Sequence, residues 1–160
     1  MVMNRWSKAG VMALSILALG AAGAMADAKG DAVKSRRDDM KALAAANKTI
    51  NDYVKGKADK AAAAKAADTL GATSTKLAKL WPKGTSSAEL PGTTAAKPAI
   101  WTDMAKFNAS FSSLSDGAKK LGGTINSGTT DDVKAAAAAL AKANCAGCHS
   151  TYRETEAPKS

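Results

Sequence analysis

From Ile100 to Leu121 the apolar residues stand at Ile100, Met104, Phe107, Phe111, Leu114, Ala118 and Leu121, separated alternately by four and three positions. A strand would turn every second residue to one face. This spacing gathers them into one stripe of an α-helix. The same rhythm runs through Val33, Arg36, Met40, Leu43, Asn47, Ile50 and Val54, with two polar residues, Arg36 and Asn47, set on the line. It predicts a first helix over Asp31–Val54, closed by Gly56. A second is predicted from about Ala58 to Leu80, with Ala66, Leu70, Thr73, Leu77 and Leu80 or Trp81 inside and Pro82 and Gly84 to stop it.

The segment Lys83–Ala96 is rich in Thr, Ser, Gly and Pro and reads as the one long connection. Pro98 suits the first turn of the third helix. Gly122, Gly123 and Gly128 punctuate the chain after it. Thr129 or Thr130 can cap a fourth helix, where Asp131 and Asp132 put negative charge at the positive end. That helix continues through Val133, Leu140 and Asn144 to about Arg153.

The predicted helices are about 20–25 residues each, or roughly 30–38 Å long. Four rods of matching length, joined by short links and one longer loop, make an all-α, antiparallel four-helix bundle. Composition agrees: 38 of 160 residues are Ala and only 4% are aromatic, a poor stock for a β-sandwich. Alanine buries little apolar area, so the core is thin for its length. A large, flat, apolar prosthetic group between the helices would supply the missing contact surface.

Residues 1–26 read as an export signal, leaving 27–160 as the folded domain. Arg5 and Lys8 precede an uncharged apolar run from Ala9 to Ala22, and Ala24-Met25-Ala26 is the small-x-small pattern before a signal-peptidase cut. The run is shorter than the roughly 20 residues of a spanning helix, so no membrane anchor is expected after cleavage. Without Arg5 and Lys8 the chain keeps 21 basic against 14 acidic residues, a charge of +7. Only Met40 and Met104 remain of the methionines. Export implies an oxidising compartment, the periplasm, where a close cysteine pair is a disulfide, a metal site or an attachment point.

Cys145-Ala146-Gly147-Cys148-His149 contains every cysteine and the one histidine of the chain. Cys-x-x-Cys-His is the attachment sequence of c-type haem. Two thiols add across the haem vinyl groups, and the next residue's imidazole ligates the iron. On an α-helix, Cys145, Cys148 and His149 (i, i+3, i+4) share one side. Gly147 leaves room for the porphyrin to lie close to the chain. A thioredoxin-like disulfide would want a βαβ context, which is missing, and a structural zinc would want a fourth ligand. The cofactor expected is therefore one covalent haem c with its iron.

The chain resembles the class II c-type cytochromes, the cytochrome c′ family, over essentially all of residues 27–160. The haem motif lies near the C-terminus and continues through Ser150-Thr151-Tyr152-Arg153. Asp31 to Lys41, Leu80-Trp-Pro-Lys-Gly-Thr85 and Ala96-Lys-Pro-Ala-Ile-Trp101 follow in the family's order. The resemblance implies a left-handed bundle with the haem between its helices, and an electron-transfer or gas-binding role. In the family's high-spin members a non-ligating side chain from helix one guards the distal face of the iron. In a low-spin branch a methionine there is the sixth ligand, and the matching residue is Met40.

The reading is therefore the low-spin branch, with His149 proximal and Met40 distal. Met104 is read as packing. Arg36 matches a position that pairs with a haem propionate, and Arg153, four residues after His149, can reach the haem edge. Tyr152, Trp81 and Trp101 are read as packing.

The function expected is that of a periplasmic electron carrier with both axial positions filled, the thioether sulfur favouring ferrous iron. The alternative is a five-coordinate protein binding nitric oxide or carbon monoxide. An enzyme is not expected, because a distal acid–base group is wanted and the sole histidine is proximal. Positive charge should steer the protein to an acidic patch on a redox partner. Its lysines are spread singly over helix exteriors, which argues against nucleic acid. A homodimer is compatible with the resemblance.

Overall fold

The computed structural model describes residues 17–155, with backbone alone for 17–26. Of the expected export signal, residues 1–16 thus lie outside the described residues. The backbone of 17–26 is helix, continuous with α1 (Leu17–Val54). Then come α2 (Lys60–Leu77), the short α3 (Ala99–Thr102), α4 (Met104–Ser127), α5 (Thr130–Leu140), a π-helical segment (Ala141–Ala146) and α6 (Gly147–Tyr152). No helix among the described residues is long and apolar enough to cross a membrane. The long rods α1, α2, α4 and α5 form a closed ring, α1 packing on α2 and α5, and α4 on the same two. The only bridge pairing among the described residues joins Ala96 to Arg153.

Three local departures from the expected helices have visible causes. The third rod is broken at Asp103, whose backbone leaves the helix (φ −139°, ψ 67°) while its carboxylate accepts the Lys106 N–H at 3.0 Å. An N-cap of this kind starts a new helix inside an apolar rhythm that reads as unbroken. In α2 the inner position is Ser74, fully buried, rather than Thr73; its hydroxyl donates to the Leu70 carbonyl at 2.6 Å and so tolerates burial. The last rod is α-helical only to Leu140 and then widens into the π segment.

The fourth rod starts at a capping box. The Thr129 hydroxyl accepts the Asp132 N–H at 3.2 Å, and Asp132 accepts the Thr129 N–H at 2.8 Å. Gly117 lets α4 and α5 approach just before the π segment, since a Cβ there would run into Leu140 Cδ1.

The core divides along the bundle. At the end where α1 meets α2, Ile50, Leu70, Leu121, Ile125 and Val133 pack among Ala46, Ala63, Ala66, Ala67, Ala118 and Ala137. At the other end Phe107 and Phe111 meet edge to face at 5.1 Å between ring centroids, and Tyr152 and Trp81 lie 4.9 and 4.7 Å from Phe107. Small residues close the helices at one end. Aromatic residues hold them apart at the other, and the cleft lies there.

Candidate functional site

A cleft of about 600 Å³ opens between α1, the 94–96 stretch of the long loop, and α6. α1 contributes Val33, Arg36 and Met40, and α6 contributes Cys148 and His149. Trp81, Ile100, Phe107 and Tyr152 supply aromatic and aliphatic wall. Met40 lies in the middle of α1 on the same inner line as Val33 and Arg36, which the three–four spacing dictates.

Of the residues singled out from sequence, Arg36, Met40, Cys148, His149 and Arg153 all line this cleft. Cys145 does not line it. It is half-buried on the π segment, where each turn takes more residues than in the α-helix that the i, i+3, i+4 reading assumed. Met104 packs in the aromatic cluster with Phe107 and Trp101, away from the cleft lining, in keeping with its reading as a packing residue.

Burial pushes the thiol pKa values of Cys145 and Cys148 up, so neither is poised as a thiolate for disulfide exchange. Burial, then the charge of Arg153, lowers the His149 pKa and favours the neutral imidazole, the form that offers a lone pair to a metal.

Arg36 is the most buried charged residue among the described residues. It is 4% exposed, its guanidinium lies 4.4 Å over the Trp81 ring, and its Nη2 donates to the Thr85 carbonyl at 3.2 Å. Its Nη1 is buried with no partner. Burial lowers its pKa to about 10, which still leaves it charged at neutral pH. A buried charged donor without an acceptor is costly, and an anion entering the cleft would satisfy it.

Three features were not read from sequence. Arg37 and Lys41 also line the cleft, and their signal was available: they follow Arg36 and Met40 by one residue on the same helix. Asp39 is buried beside them, pairing with Lys76 of α2 at 2.8 Å while its second oxygen has no partner. The long loop is fastened at both sides. Arg37 donates to the Thr93 carbonyl, and Lys97 N–H donates to the Tyr152 carbonyl at 3.0 Å. Glu154 N–H donates to the Ala95 carbonyl at 2.8 Å.

A flat, mostly apolar group with acidic edges fits this cleft. Its volume lies in the range of ligand sites, its walls are aromatic, and its cations include an orphaned guanidinium nitrogen. Thiol, imidazole and thioether side chains together are a donor set for iron porphyrin.

The family model for cytochrome c′ matches residues 31–153. The chain belongs to the cytochrome c′ family. Cytochrome c′ of Pararhodospirillum photometricum is 36% identical over 124 residues, 77% of this chain and 90% of that protein. Among solved structures, cytochrome c′ from Rhodopseudomonas palustris aligns with a TM-score of 0.68 at 32% identity, covering 79% of this chain and 98% of that one. A nitric oxide complex of a cytochrome c prime variant from Alcaligenes xylosoxidans aligns with a TM-score of 0.67 at 28% identity, covering 80% and 97%.

The four-helix cytochrome c′ architecture and the cofactor, one covalent c-type haem with iron, follow from this membership. The low-spin, methionine-ligated branch does not follow. Cytochrome c′ is typically high-spin and five-coordinate, so these relatives lend the expected sixth ligand no support.

Proposed function

We propose that this chain is a periplasmic cytochrome c′-type protein that binds a small gas, nitric oxide or carbon monoxide, at a five-coordinate iron. The haem supplies the iron at which a gas binds or an electron rests. His149 would hold that iron from α6, Cys145 and Cys148 would carry the covalent attachment, and Arg36 and Arg153 would meet its acidic edge. The relatives support this reading, since the family is typically five-coordinate and a variant of one similar protein forms a nitric oxide complex. The observation that carries it is the α1 wall of the cleft, where Val33, Met40 and Ala44 offer apolar surface beside the cations Arg36, Arg37 and Lys41, with no histidine or carboxylate. A wall without histidine or carboxylate lacks the usual general base for peroxide chemistry, which suits reversible gas binding.

A second reading is favoured by one observation: Met40, a half-buried thioether on α1, lines the same cleft as His149. With Met40 as sixth ligand the protein would be a low-spin electron carrier. Optical spectra separate the two. The gas-binding reading predicts a high-spin ferric spectrum and ready carbon monoxide uptake by the reduced protein. A low-spin ferric spectrum, with a sulfur-to-iron charge-transfer band that vanishes in Met40→Ala, would overturn it in favour of electron transfer.

A further inference from the structure

Three consecutive loop residues, Thr85, Ser86 and Ser87, support both arginines that the proposed function assigns to the haem's acidic edge. The Thr85 carbonyl accepts from Arg36 Nη2 at 3.2 Å, while its hydroxyl, fully buried, donates to the Pro82 carbonyl at 2.8 Å. Ser86 is buried as well, its hydroxyl donating to Glu89 at 2.6 Å. Ser87 reaches the other side of the cleft twice. Its N–H donates to the Ala96 carbonyl at 2.7 Å, and its hydroxyl donates to the Glu154 carboxylate at 2.8 Å.

Ala96 and Arg153 are the two partners of the antiparallel bridge. Ser87 therefore grips both sides of that bridge, Ala96 directly and Arg153 through its chain neighbour Glu154. Arg153 itself is exposed and stands where α6 ends and the backbone turns extended (φ −114°, ψ 135°). An exposed chain segment just past a helix end frays unless it is tied down. The ties here run to the loop: Lys97 N–H to the Tyr152 carbonyl, Glu154 N–H to the Ala95 carbonyl, and the two bonds of Ser87.

We infer that Ser87 is the positioning residue for Arg153, locking the bridge so that the Arg153 charge stays at the cleft beside His149, where it biases the haem iron toward the ferrous state. The inference rests on the placement of Arg153 at the haem edge in the proposed function. A positive charge held near the iron opposes the extra positive charge of the ferric form, and that opposition weakens when the side chain swings out into water. Ser87 does not line the cleft, so it acts through Arg153.

The test is a potentiometric titration of the haem-loaded parent, Ser87→Ala, Ser87→Thr, Arg153→Gln and the double variant Ser87→Ala/Arg153→Gln. Ser87→Ala should move the ferric–ferrous equilibrium toward ferric by about threefold, or about 28 mV at 59 mV per tenfold change. Ser87→Thr keeps a hydroxyl and should stay with the parent. Arg153→Gln should move the equilibrium at least as far as Ser87→Ala. The double variant should go no further than Arg153→Gln alone, because a charge already removed cannot be misplaced. Hydrogen exchange supplies a second readout: the Lys97 and Glu154 amides should exchange about fivefold faster in Ser87→Ala and at the parent rate in Ser87→Thr.

Faster exchange in Ser87→Ala with an unchanged potential would make Ser87 a structural tie only and overturn the assignment. So would a Ser87→Thr that behaves as Ser87→Ala, or additive shifts in the double variant. An unmoved potential in Arg153→Gln would take Arg153 away from the haem edge, overturning the inference together with that part of the proposed function. A low-spin ferric spectrum in the parent would instead count against the five-coordinate reading alone, so the failures are distinguishable.

Discussion

Arg36 sits on the inner line of α1 with Trp81 beneath its guanidinium and Nη1 unsatisfied. If a propionate completes its bonding, Arg36→Met in the haem-loaded protein leaves that anion unpaired. Loss of one partner of a buried charge pair costs about 3–5 kcal/mol; a denaturant titration should show that loss, and an unchanged midpoint would remove Arg36 from the haem site. Met40→Ala should leave the ferric spectrum high-spin while enlarging the distal pocket, read as faster carbon monoxide association; a slower rate would mean that Met40 does not stand in the way. Both residues were legible because the four–three rhythm put them inside. Asp39 was not, because a carboxylate beside the seam looks like solvent-facing charge until Lys76 of the next helix is seen to meet it.

Among the elements, the last rod departs furthest from what periodicity implies. Its seam residues Val133 and Ala137 are buried as the spacing requires, but beyond Leu140 the helix widens, and Cys145 leaves the cleft line. Nothing in the hydrophobic pattern of Ala141–Ala146 announces a π turn, and alanine suits either helix. The contact that precedes it is specific. Gly117→Ala must move the end of the Leu140 side chain, so in thermal melts the substitution should be more favourable in a Leu140→Ala background, where the gain of about 0.5–1 kcal/mol over a mid-helix glycine is unopposed; additive effects would mean that the approach of α4 to α5 is not the cause.

The capping box of α5 has a pH signature. Asp132 accepts from the Thr129 hydroxyl and then its backbone N–H, and both hold its carboxyl below the usual value. A depressed folded pKa means a contribution present above the unfolded value of about 3.9 and lost as pH falls through the folded one. The stability gap between the parent and Asp132→Ala should therefore be constant at neutral pH and close on acidification; a gap that widened in acid would contradict the assignment. The break at Asp103 escaped the sequence reading for a related reason: a single polar cap competes invisibly with an apolar spacing that fits one continuous helix.

Across the whole molecule, packing is divided between an alanine end and an aromatic end. The thin core inferred from composition is real where Ala63, Ala66 and Ala67 face Ala118 and Ala137, and the space lost there reappears as a cleft among Trp81, Phe107 and Tyr152. The bundle, the cleft's two main walls and its side chains Arg36, Met40, Cys148, His149 and Arg153 were thus readable from spacing, motif and resemblance. The loop that closes the third wall was not, because it is held by backbone hydrogen bonds between Ala95–Lys97 and Tyr152–Glu154 and by side chains that donate to its carbonyls, as Arg37 does to Thr93, none of which a hydrophobic pattern records.

Covalent haem at Cys145 and Cys148 is the claim on which the rest depends. Mass spectrometry of the protein, made in a host that matures c-type cytochromes and then denatured and washed in acid acetone, tests it directly. The predicted result is a red polypeptide beginning at Asp27 and heavier than its sequence by one haem, with the added mass lost when both cysteines are replaced by alanine. A colourless chain of bare polypeptide mass would contradict it.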